Sequence, residues 1–161
     1  MNKAAGIDYG VRRVAIAIPD INVFDELLLK NGEDLDNLFA MASWVGEKVL
    51  LHKPDLVIVE KPIQGISGNV RTGLSLGMVA GAFAFSVKLL GPDVELIGPS
   101  SWKKAVVGRG NADKKAVSEW LESTHPEYFK QCKALSSPQD AIDSTCLALY
   151  GKKLLAGRRS L

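Results

Sequence analysis

The chain has 161 residues, 47% hydrophobic and 24% charged, a size and balance that suit one soluble domain with a good-sized core. Twenty Lys and Arg against eighteen Asp and Glu leave a net charge of +2, which permits a nucleic-acid partner without demanding one, so local charge matters more than the total. Cys132 and Cys146 show no metal-site spacing and read as free thiols of a reducing compartment.

No apolar leader follows the N-terminus, where Asp8 stands early. The longest uncharged stretch, 72–87, is too short and too glycine-rich for a membrane span. A cytoplasmic protein without a membrane partner is expected. No internal repeat or interdomain linker stands out. One domain is expected over 1–157, with a basic, frayed tail over 158–161.

In chain order, Ala4-Ala5-Gly6-Ile7-Asp8 reads as a small apolar strand ending in a carboxylate, and Tyr9-Gly10 as a tight turn. Val14 to Ile18 is a second strand, ended by Pro19, and the short connection favours an antiparallel hairpin. A third strand over 23–29 carries more charge and is expected at a sheet edge. After the Asn31-Gly32 turn, Asp34 or Asp36 can cap a helix that runs to about His52, with Leu38, Met41, Ala42, Val45 and Val49 on one face.

Leu56-Val57-Ile58-Val59 is a continuous apolar run, the pattern of a strand buried on both faces. Pro62 cannot donate to a ladder, so the strand stops near Glu60. Glu60 thus lies at the carboxyl end of a central strand, where open α/β sheets keep their sites. Gly65 to Gly68 is a loop, and a long helix beginning at Asn69 or Thr72 runs to about Leu90, broken by Gly91-Pro92. A strand over 94–97, a short helix over 99–107, a glycine loop over 108–110 and a helix over 112–125 follow. Pro126 is placed outside that helix. Pro138 opens a last helix to about Ala156. Three strands, helix, strand, helix, strand, then helices make an α/β protein with a mixed five-stranded sheet, in the order of a ribonuclease H-like fold.

Four acids stand out. Asp8 and Glu60 end buried strands, and they meet on one edge if those strands are parallel neighbours. Asp140 and Asp143, three apart in the first turns of the last helix, share one face. A helix dipole explains Asp140, but not Asp143 beside Ala141-Ile142 in an otherwise apolar stretch. Four gathered carboxylates repel unless a cation lies between them. Hard divalent ions with oxygen ligands fill that role, and Mg²⁺ suits an open site. Two such ions can activate water and stabilise a leaving oxygen in phosphodiester hydrolysis.

Gly6-Ile7-Asp8-Tyr9-Gly10, Val57-Ile58-Val59-Glu60-Lys61-Pro62 and Asp140-Ala141-Ile142-Asp143-Ser144 resemble the three acidic motifs of RuvC-type Holliday junction resolvases. The stretch 106–114, Val-Val-Gly-Arg-Gly-Asn-Ala-Asp-Lys, resembles the family's Val-Val-Gly loop followed by a Lys, and 69–90 its long helix of small residues. The resemblance spans nearly the whole chain, with four motifs in order. It implies a dimer that uses Mg²⁺ or Mn²⁺ to nick two strands of a four-way DNA junction symmetrically, with no small-molecule cofactor. By matched position, Asp8, Glu60, Asp140 and Asp143 would be the metal-binding catalytic acids, with Asp8 shared by two ions. Lys103 and Lys114 would act near the scissile phosphate, Lys114 with the catalytic groups. Lys104, Arg109 and Lys115 are grouped with them as DNA-facing, although a solvated helix face is the plainer reading of Lys104 and Lys115. Trp102 fits the core, with stacking on a base as the other reading.

Gly73, Gly77 and Gly81 recur every four residues and form one stripe, each costing the helix about 1 kcal/mol relative to Ala. A groove for another backbone offsets that. The groove takes either the chain's own sheet or the same helix of a second subunit, and the family's dimer favours the second. After Glu60 the run Lys61-Pro62-Ile63-Gln64 has no aromatic, where bacterial RuvC proteins carry one that wedges into the junction centre. That departure resembles the shorter resolvases of phages and suggests a broader taste for branched DNA, flaps included. Two other readings stand beside it: a YqgF-type nuclease that processes ribosomal RNA, whose opening motif 6–13 also resembles, and a non-catalytic junction-binding protein of the same fold. A sugar-kinase or actin-type ATPase needs two lobes and a longer chain.

Overall fold

The computed structural model describes residues 2–30, 32–62 and 70–158. Strands Ala4–Tyr9 (β1), Arg13–Ile18 (β2) and Val23–Leu28 (β3) form an antiparallel meander, with a 3-10 turn at Pro19–Ile21 before β3. Helix Asp34–His52 (α1) leads to Leu56–Glu60 (β4), and helix Val70–Leu89 (α2) to Asp93–Ile97 (β5). The sheet order is β3-β2-β1-β4-β5, with β1, β4 and β5 mutually parallel. The charged β3 lies at the edge, and the apolar β4, with Leu56, Val57, Ile58 and Val59 all at 0% exposure, lies inside. Helices cover both faces, which is why β4 shows no alternation.

Each face has its own core. Ala5, Ile7, Val57 and Val59 pack with Met41, Val45, Val79, Phe83 and Val87 of α1 and α2. Ala4, Leu56 and Ile58 pack on the other side with Trp102, Val117, Leu121, Ile142 and Leu147. These last residues belong to helices Pro99–Val107 (α3), Lys114–Thr124 (α4) and Pro138–Arg158 (α6), with Pro126–Lys133 (α5) beside them.

The boundaries depart from expectation in four places. Neither Asp34 nor Asp36 caps α1. The cap position is Glu33, without a side-chain bond, and both aspartates lie in the first turn, where the dipole favours acid. The helix expected from 112 begins at Lys114, because Asp113 caps it by accepting from Ala116 N at 2.8 Å. Pro126 lies outside α4, as expected, and also opens α5, which was not foreseen, since a proline at the first helical position gives up no hydrogen bond. Arg158 is not tail: it stays helical and pairs with Asp93 and Glu95 of β5. The expected loop at Gly65 to Gly68 and cap at Asn69 lie outside the described residues. Among the described residues no helix is long and apolar enough to cross a membrane.

One contact sets the geometry that matters. A Cβ at Gly6 would lie 2.0 Å from Ser144 O and 2.4 Å from Ala148 N, and one at Gly151 only 2.8 Å from Ile58 Cγ1. Helix α6 therefore lies with its backbone directly on β1 and β4. Any side chain at residue 6 would lift it off.

Candidate active site

The register of the parallel pair β1 and β4 places Ile7 opposite Val59, so Asp8 and Glu60 leave neighbouring strands side by side. Side chains alternate along a strand, so Asp8 shares the face of Gly6, against which α6 lies. The first turns of α6 carry Asp140 and Asp143 over that same strand end. Asp8, Glu60, Asp140 and Asp143 come together, and each of the other three raises the pKa of Asp8 by its charge.

The electrostatics follow from burial and crowding. Asp8 is pushed well above the usual carboxylate range, first by desolvation and then by Asp143, Glu60 and Asp140. Asp143 is raised to about 6, mainly by burial, with Gln139, Lys103 and Lys114 pulling the other way. Glu60 is also raised by burial, opposed by a hydrogen bond from Trp102 and by the charge of Lys103. Such a cluster lacks positive charge at its centre. The charges of Lys103 and Lys114 work against the repulsion at Asp143, and that of Lys103 at Glu60.

Three of the acids are held by neighbours. Arg13 Nε stands 2.7 Å from Asp140 Oδ2, Trp102 Nε1 donates to Glu60 Oε2 at 2.6 Å, and Gln139 Nε2 donates to Asp143 Oδ1 at 3.0 Å. Tyr9 Oη donates to the Glu60 carbonyl at 2.9 Å, and burial raises its pKa. Among the described residues no three His, Cys, Asp or Glu side chains stand close enough, as they are oriented, to hold one ion. The fit to a divalent cation therefore lies in the donor set: four oxygen-bearing acids on two strand ends and one helix, whose mutual repulsion a hard cation relieves.

Sequence reasoning passed over Arg13, Tyr9 and Gln139. Arg13 carried a signal, since it sits just past the Gly10 turn at the same end of the sheet as Asp8. Trp102 is core, at 0% exposure, rather than an exposed stacking platform. Lys104, Arg109 and Lys114 are exposed, and Lys115 makes only an exposed pair with Glu119 at 3.8 Å. Lys152 and Lys153 are turned to the chain itself, Lys152 to Asp20 and Lys153 to the Ala105 carbonyl. Cys132 and Cys146 are buried free thiols, as expected.

The glycine stripe of α2 faces away from the sheet. A Cβ at Gly73, Gly77 or Gly81 meets nothing within 4 Å, so the chain's own sheet does not occupy that groove. Leu74, Met78, Phe85 and Leu89 on the same helix are 60–70% exposed.

The sequence model of the family described as crossover junction endodeoxyribonuclease RuvC matches residues 6–150. A crossover junction endodeoxyribonuclease RuvC from Clavibacter michiganensis is 28% identical over 153 residues, covering 89% of this chain and 72% of that protein. The Thermus thermophilus RuvC structure superposes with a TM-score of 0.73 at 18% identity, over 94% of this chain and 96% of that one. Thermus thermophilus RuvC in complex with Holliday junction substrate gives a TM-score of 0.71, also at 18% identity, over 93% and 92%.

Proposed function

The chain belongs to the RuvC family of crossover junction endodeoxyribonucleases, and from that premise we propose how its own residues carry the reaction. It is a metal-dependent endonuclease that hydrolyses phosphodiesters of Holliday junction DNA. The proposed metal-binding acids are Asp8, Glu60, Asp140 and Asp143, and the proposed cofactor is Mg²⁺, two ions per site, with Mn²⁺ able to replace it.

The observation that carries this reading is the crowding of Asp8, a buried carboxylate raised by three others around it. A folded chain tolerates that repulsion where the site is built for positive charge. Bound divalent ions would lower the pKa of a water, leaving it nucleophilic near neutral pH, and stabilise the oxygen that departs. The chain's share is placement. Asp8 and Glu60 are fixed by strand register, and Asp140 and Asp143 by the seating of α6 on Gly6. Lys103 and Lys114, whose charges already act on Asp143, would face the scissile phosphate and neutralise its oxygens. Products would carry 5′-phosphates. Lys104, Arg109 and Lys115 extend the positive surface along the DNA backbone, contacts that weaken steeply as salt rises.

A four-way junction has two strands to cut symmetrically, which needs two sites related by a two-fold axis. The exposed apolar side of α2, with Leu74, Met78, Phe85 and Leu89 around the stripe of Gly73, Gly77 and Gly81, is the proposed isologous interface.

The test is cleavage of a labelled immobile four-way junction beside a flap, a linear duplex and a structured RNA, with and without Mg²⁺. Paired symmetric nicks in the junction, only with metal, are expected. Equal cutting of flaps would broaden the substrate to branched DNA, in line with the missing aromatic after Glu60. Cutting of RNA alone, or tight junction binding without cutting, would overturn the proposal.

A further inference from the structure

Trp102 is the largest fully buried side chain among the described residues, yet its one polar atom is spent on a proposed metal ligand. Its ring packs in the core shared by α3, α4 and α6, among Val106, Val117, Leu121, Ile142 and Cys146. From there Nε1 donates to Glu60 Oε2 at 2.6 Å, a short charge-assisted bond. Lys103 Nζ lies 5.6 Å from the centre of the same ring. A cation over the ring face draws electron density from the indole and makes its N–H a better donor.

We propose that Trp102 is a positioning residue for Glu60: the buried indole holds the carboxylate in the orientation in which it binds the divalent ion. The inference rests on the assignment of Glu60 as a metal ligand. An indole N–H is a donor without a lone pair, so it cannot itself ligate the ion and has no reason to leave when the ion arrives. It differs from the ties to Asp140 and Asp143 in how firmly the donor is held: Trp102 is fully buried, while the Arg13 side chain is 55% exposed. Arg13 is a charged competitor for its acid, and Gln139 is held only at 3.0 Å on a flexible side chain. The Trp102 ring has core on all sides and cannot follow a carboxylate that moves, so Glu60 is the fixed acid toward which the others converge. The same ring ties α3, with Lys103 on it, to the end of β4. A lysine close to the phosphate and an acid close to the ion are thus held by one rigid group. Partners of this kind, once removed, cost about 10- to 100-fold in metal affinity.

The experiment uses tryptophan itself as the reporter. The chain has three, so Trp44→Phe with Trp120→Phe leaves Trp102 as the single tryptophan; Trp44 packs on the opposite core and Trp120 on the margin of the one around Trp102, where phenylalanine keeps an apolar ring. Titration of this chain with Mg²⁺ should change its emission saturably, and Glu60→Gln should abolish the change. In the otherwise native chain, Trp102→Phe keeps the buried ring and removes the donor. The Mg²⁺ concentration for half-maximal junction cutting should rise at least about tenfold, while junction affinity in EDTA changes less than twofold. An emission that ignores Mg²⁺ at concentrations supporting cleavage, together with an unchanged Mg²⁺ midpoint in Trp102→Phe, would overturn the role of Trp102 alone. A Glu60→Gln chain that cuts at the parent rate would overturn the metal-site reading beneath it as well.

Discussion

Arg13 Nε lies 2.7 Å from Asp140 Oδ2, joining the hairpin turn after β1 to the first turn of α6. The pair is asymmetric: the Arg13 side chain is 55% exposed and that of Asp140 only 13%. Arg13 thus serves as the counter-charge for an acid that is also proposed to serve a metal ion. Arg13→Gln should cost about 1 kcal/mol in EDTA, a few degrees of melting temperature, since the pair is half in solvent. Saturating Mg²⁺ should narrow that gap by supplying the missing charge. Thermal melts with and without the ion check it, and a deficit that stays equal in both conditions counts against the idea.

Asp143 gives the clearest pH signature. Its folded-state pKa of about 6 lies above the ordinary 3.8 because burial disfavours the charge. Between those values the folded chain binds the extra proton. The stability it contributes is therefore full below pH 4 and is lost as pH rises through 6, about 3 kcal/mol in all. In EDTA, Asp143→Asn should melt above the parent at pH 7 and close to it at pH 4. Equal melting temperatures at pH 7 would contradict the buried charge.

The same substitution removes a proposed metal ligand. Asp143→Asn should bind four-way junctions with near-parent affinity and cut them at least about 100-fold more slowly. Gel-shift and single-turnover cleavage on one substrate separate the two effects. Cutting at the parent rate would mean the site lies elsewhere.

On α2, a leucine at Gly77 has open space around it within the chain, so Gly77→Leu should leave the fold intact and weaken self-association. Met78→Glu with Phe85→Glu, both on the exposed side, should give a monomer outright. Sedimentation velocity reads both, and an unchanged profile in the double variant rules out this face as the interface.

Gly6→Ala addresses the seat of the site. The new methyl would have to lie 2.0 Å from Ser144 O, against helix backbone that has no side-chain freedom to give way. A loss of more than about 3 kcal/mol is expected, with α6 displaced or the chain unfolded. Circular dichroism melts check this, and a melting temperature within a degree of the parent would show that α6 can ride higher without harm.

Much of this was legible from residue order. The unbroken apolar run before Glu60 announced a central strand, the charge on β3 an edge, and Pro138 a helix start. The meeting of four acids followed once β1 and β4 were taken as parallel neighbours. The ties that hold those acids were less visible. The Trp102 indole reaches Glu60, 42 positions away in sequence, and no local pattern encodes such a partner. Arg13 looked like an ordinary surface charge until Asp140 was seen beside it. The helix after Pro126 was missed because a proline can follow one helix and begin the next by the same physics, and nothing in the short stretch 126–133 favoured the second reading. The glycine stripe was visible as spacing, but its two possible occupants could be separated only by finding open space around it.

The seating of α6 on Gly6 also has a consequence in time. The first acid is made at residue 8 and the last at residue 143, and the helix bearing the late pair has to dock across the earliest strand. A growing polypeptide therefore carries no complete cutting centre until its sixth helix has left the ribosome and settled. Contacts so distant along the chain are slow to form. The four acids are therefore brought together by α6, the last of the helices to be made, and not by any local segment of the chain.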